Sequence, residues 1–138
     1  DSRALFAHIK KLQTKLKPLT PAQILEHFIT HVSVNDPLEQ EAKVIRQVLR
    51  SDILLYIIDV REPFLEKYRL ELDILTQSAK PIIPVFNFIA EHNQELAKWR
   101  QHLAGYHMHA TLEFDTVAFT FEAEKRLYQK IQTLVESH

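Results

Sequence analysis

Three short stretches hold most of the side chains that could do chemistry. Asp59-Val60-Arg61-Glu62, Asn87-Phe88-Ile89-Ala90 and Asp115-Thr116-Val117-Ala118 each begin where an apolar run stops. In open parallel sheets ligands bind at the carboxyl ends of strands, and carboxylates crowded there can serve as acids or bases. Against that, Arg61 can pair with a neighbouring carboxylate and Glu62-Pro63 can lead into the next helix. This structural reading outweighs the catalytic one, and no catalytic residue is assigned. His27 and His31 stand at i, i+4, a spacing that can chelate a metal, but no Glu completes an HExxH pattern. His102, His107 and His109 cluster around Gly105, and the alternation of the last two would put both on one strand face. Neither group has carboxylates at hand to orient the imidazoles, so no metal site is expected.

Composition removes other chemistries. An average chain of 138 residues would carry roughly ten glycines, and this one has Gly105 alone. No Walker A loop, dinucleotide GxGxxG or Gly-x-Ser-x-Gly elbow can be built from it. With no cysteine, disulfides, thiolate catalysis and cysteine-held metals are also out, which points to the cytosol. No apolar stretch approaches the roughly 18 residues of a membrane span. A formal net charge of −1 gives no global field for a polyanion. Arg3, Lys10, Lys11, Lys15 and Lys17 do face only Asp1 in the first twenty residues, but a solvated helix face accounts for them, and no nucleic-acid partner is expected.

The elements that must position these groups can be read from periodicity. Leu5, Ile9, Leu12 and Leu16 form one stripe of a helix running up to Pro18. Thr20-Pro21-Ala22-Gln23 reads as a capping box with proline at the first helical position, before a helix that buries Leu25, Phe28, Ile29 and Val32. Asp36-Pro37-Leu38-Glu39 repeats the signal and opens a helix with the stripe Leu38, Ala42, Ile45 and Leu49. The run from Ile53 to Ile58, ending in Asp59, suits a strand covered on both faces. Leu65, Tyr68, Leu72 and Leu75 mark a helix, Pro81 to Phe86 a second strand ending at Asn87, and Leu96, Trp99 and Leu103 a further helix. Ala110 to Phe114 reads as a third strand, and Leu127, Ile131 and Leu134 as a terminal helix. The expected chain is one α/β unit over residues 1–138. It has a helical lead-in over 1–50, then βαβαβα over 51–138 with three parallel strands and crossover helices, a Rossmann-like three-layer arrangement.

Residues 36 to 136 resemble the C-terminal half of a P-loop GTPase domain of the Era-like bacterial class. They are most similar to predicted GTPases that carry domain of unknown function 3482 after the G domain. The resemblance rests on Glu39-Gln40-Glu41-Ala42-Lys43-Val44-Ile45-Arg46-Gln47, Tyr56-Ile57-Ile58-Asp59-Val60-Arg61-Glu62-Pro63, Lys67-Tyr68-Arg69, Pro84-Val85-Phe86-Asn87-Phe88 and Phe114-Asp115-Thr116-Val117-Ala118. It implies that the helical lead-in follows switch II and that Asn87 is the asparagine of the base-recognition NKxD motif. Phe88 then stands in place of the lysine, and Ala90 in place of the aspartate that accepts hydrogen bonds from guanine. GTP over ATP is thereby left open. Phe88 could stack on a base, and Glu91 lies one residue beyond the usual acid position. Thr116 and Val117 resemble the loop whose backbone amides approach the base oxygen. The alternative for that stretch is an ordinary strand-to-helix turn with Thr120 as N-cap.

The resemblance further implies GTP and Mg in the intact protein, with the phosphate-binding half outside this chain and no nucleotide bound to these residues alone. The strand from Ile53 to Asp59 would lie beside the strand that leads into the P-loop, which makes it an apolar sheet edge. Its expected partner is the missing N-terminal half or a second copy of the chain. The rival reading is a non-enzymatic interaction module on a degenerate nucleotide-binding fold.

Overall fold

In the computed structural model, which describes residues 2–114 and 131–132, three successive helices precede three parallel strands that alternate with two further helices among the described residues. The helices are α1 Ser2–Lys15, α2 Pro21–His31, α3 Glu39–Arg50, α4 Glu66–Thr76 and α5 Asn93–Ala104, and the strands are β1 Leu54–Asp59, β2 Ile82–Asn87 and β3 Leu112–Glu113. The expected terminal helix falls outside the described residues except for Ile131 and Gln132, which are helical. The chain divides into two compact units, one of residues 1–52 and 65–80, the other of residues 53–64 and 81–138.

The first unit is built from α1 to α4. Leu5 and Ile9 from α1, Ile24, Leu25 and Phe28 from α2, Ala42 and Ile45 from α3, and Ile74 from α4 form one buried cluster. The capping box at Thr20 is present. The Gln23 amide N–H donates to Thr20 Oγ1 at 3.2 Å, and the Thr20 amide N–H donates to Gln23 Oε1 at 2.8 Å. The one expected at Asp36 is not. Leu38 is the N-cap of α3 and no side chain caps it, because the Asp36 carboxylate accepts instead from the Leu38 amide at 2.8 Å, a local turn ahead of the helix. The α4 stripe also differs from expectation. Leu70, Leu72 and Ile74 are buried while Leu65 is exposed, because the helix carries apolar contacts on two faces.

The second unit holds the sheet, ordered β1-β2-β3 and parallel throughout. Leu54 pairs with Ile82 and Asp59 with Asn87, so both strands reach their carboxyl ends at one level. As the middle strand, β2 buries Ile83, Pro84, Val85 and Phe86 in succession. The Leu54 amide donates to the Pro81 carbonyl and the Val60 amide to the Asn87 carbonyl, so odd-numbered β2 residues bond to β1. The Pro84 nitrogen therefore faces β3, and it has no proton to give. Pairing with β3 begins one residue later, at Val85 with Leu112, and this shortens β3 from the expected Ala110–Phe114 to two residues. His107 and His109 precede that strand, so they do not share a strand face.

Strand β1 departs most from expectation. It is not covered on both faces, since Leu55 is 45% and Ile57 61% exposed. The backbone groups of Leu55, Ile57 and Asp59 point away from β2, which leaves β1 an edge among the described strands.

Candidate functional site

The strand-end residues Asp59 and Asn87 lie side by side because their strands are parallel and in register. Beyond β1 the chain turns at once. The Asp59 carbonyl accepts from the Glu62 amide at 3.1 Å, and Asp59 Oδ1 accepts from the Arg61 amide at 3.0 Å. The Arg61 guanidinium then closes on the same carboxylate, Nε to Oδ1 at 2.9 Å and Nη2 to Oδ2 at 2.8 Å. This bidentate geometry is the stronger form of a charge-assisted hydrogen bond. It holds the Asp59 carboxyl below the usual aspartate range and raises Arg61 further. The local pairing expected of Arg61 is thus what the chain adopts, and Asp59 is not a free base.

The turn is fixed from α5 as well. Trp99, 2% exposed, donates its indole N–H to the Glu62 carbonyl at 2.8 Å. Phe64 packs its ring edge-on against Trp99 at 5.2 Å and stacks on His102 at 4.3 Å. The spacing of Trp99 identifies a core residue; its second duty, holding a loop carbonyl, could not be read from spacing.

Beyond β2 the loop is strained. Phe88 has φ 58° and Glu91 φ 64°, in the left-handed region that disfavours side chains with a Cβ, whereas Gly105 has φ −62° and does not use its freedom. Such strain persists only where neighbours hold it, and it concentrates at functional loops. Two contacts hold it here. Asn87 Oδ1 accepts from the Phe88 amide at 2.9 Å, and the Arg61 guanidinium lies over the Phe88 ring, 3.7 Å from its centre. The Phe88 face that could have stacked on a base carries an arginine instead.

Of the expected base-site residues, Asn87 and Phe88 therefore meet Asp59 and Arg61 at one end of the sheet. Thr116 and Val117, together with Asp115, Ala118 and Thr120, lie outside the described residues. Ala90 and Glu91 are exposed. The His27 and His31 rings stack at 4.0 Å, and His31 Nδ1 lies 2.8 Å from the His27 carbonyl. Among the described residues no group of three or more His, Cys, Asp or Glu side chains could hold a metal ion. None of the described helices is long and apolar enough to cross a membrane.

The family model of DUF3482, a domain of unknown function, matches residues 100–138, a stretch that begins inside α5 and includes β3. No curated protein and no solved structure matches the chain.

Proposed function

We propose that this chain supplies the base-recognition side of a nucleotide site, in an intact protein of the P-loop GTPase kind that binds GTP with Mg and hydrolyses it. The observation that carries the reading is the place of Asn87. It ends the middle strand of a parallel sheet, level with the end of β1, and begins a strained loop. Carboxyl ends of parallel strands are where such folds bind ligands. The Asn87 side chain spends its oxygen on the loop's own backbone, which suits a residue that shapes a base-binding turn. The phosphates and Mg fall to a half of the site outside these 138 residues, and no step of hydrolysis is assigned to side chains described above. That half would pair with the open edge of β1; a second copy of the chain is the other partner able to use it.

Calorimetric titration with Mg-GTP tests the reading. The 138 residues alone should bind weakly or not at all, and the full-length gene product should bind with micromolar affinity that Asn87→Ala weakens by about tenfold or more. Micromolar binding by the 138 residues alone, or none by the full-length protein, would overturn it. An interaction module without nucleotide chemistry is the second reading, favoured by the exposed Leu55 and Ile57 on β1. Nucleotide-independent capture of a partner on that strand would support it.

A further inference from the structure

The guanidinium of Arg61 is held in two ways and still has donors to give. Nε and one N–H of Nη2 go to the Asp59 oxygens, and one face of the plane rests on Phe88. The Nη1 amino group and the second N–H of Nη2 have no partner among the described residues, and the side chain is 51% exposed. Ordering an arginine normally costs side-chain entropy on binding. Here the chain has already met that cost, and the end-on edge of the fork is presented as a fixed pair of donors.

We propose that this edge of Arg61 reads the purine, taking guanine O6 and N7 as its two acceptors. The inference rests on the nucleotide-site reading above. Guanine offers two acceptors side by side on that edge, whereas adenine offers N7 beside an N6 amino donor, so adenine would set donor against donor. Ala90 carries no polar group and cannot discriminate. Arg61 supplies the selectivity from the end of β1 instead of the loop after β2. Phe88 is then the platform that keeps the guanidinium plane in place, and Asp59 sets its rotation. Because Asp59 already balances the charge, the pair is a poor attractor for a bare phosphate and a better reader of neutral acceptors.

The test is competition against a fluorescent GTP analogue on the full-length protein, using GTP, ATP and 7-deaza-GTP, in which carbon replaces N7. Wild type should bind 7-deaza-GTP about tenfold more weakly than GTP. Arg61→Gln and Arg61→Met should each cut the preference for GTP over ATP by about 10- to 100-fold, chiefly by weakening GTP, and should erase the 7-deaza penalty. The methionine variant keeps an unbranched stem of similar reach over Phe88 and has no donor, so it remains informative if the glutamine variant fails to fold. An unchanged GTP-to-ATP ratio in the methionine variant, or equal binding of GTP and 7-deaza-GTP by wild type, overturns the role of Arg61 and leaves the nucleotide site standing. Failure of wild type to bind either nucleotide removes both.

Discussion

Arg61 satisfies Asp59, covers Phe88 and keeps donors in reserve, and each role constrains the others. Its pairing with Asp59 has a consequence for pH. A carboxyl whose folded pKa is depressed contributes stability above its unfolded value, near 3.9, and loses that contribution as pH falls through the lower folded value. The pair is about half exposed on the arginine side, so solvent screens it and its contribution to stability is small. Carboxyl NMR titration should place Asp59 below the ordinary aspartate range and return it toward that range in Arg61→Gln. An Asp59 that titrates alike in both proteins would contradict the assignment. The pairing was legible in the sequence, because opposite charges two residues apart after a strand have little else to reach. The contact with Phe88 was not. It joins two separate loops and depends on a left-handed backbone at a phenylalanine, which intrinsic preference argues against.

At the scale of elements, apolar spacing located every described helix and strand, because burial on one face imposes a period that side chains display directly. It failed where the cause lay in another element. The start of β3 depends on a missing proton at Pro84 in the neighbouring strand, and the open face of β1 depends on what does not cover it. Cap signals divided in an instructive way. Thr20 and Gln23 exchange both hydrogen bonds, whereas Asp36 satisfies a turn amide before the helix begins. Thr20→Ala should therefore cost about 1 kcal/mol, read as a lower urea midpoint, and Asp36→Ala should disturb the loop before α3 more than the helix. If both substitutions lower the helical signal equally, the distinction fails.

At the scale of the whole molecule, the edge strand governs what the protein does in solution. Leu55 and Ile57 are apolar and exposed on a strand whose outward amides and carbonyls have no strand beside them among those described. Light scattering should report either a species larger than 16.2 kDa or a companion polypeptide in the purified sample, and Ile57→Lys should return it to a monomer. A wild-type monomer in which Ile57 exchanges its amide proton as slowly as Val85 would contradict this. The division into two units, each assembled from separated stretches of chain, also bears on biosynthesis. The four-helix cluster needs Ile74, which the ribosome delivers only after it has finished β1. At about 5–20 residues per second, β1 then waits roughly one to six seconds for β2 to be completed. For that interval an apolar strand has no partner of its own, and the nascent chain is most exposed to mispairing. A chain stopped at residue 52 has three helices without the side chain that closes their core, and one stopped at residue 80 has completed that core but carries an orphan strand. Stopped at residue 52, the chain should show a lower melting midpoint than when stopped at residue 80, and the longer piece should self-associate through its unpaired strand.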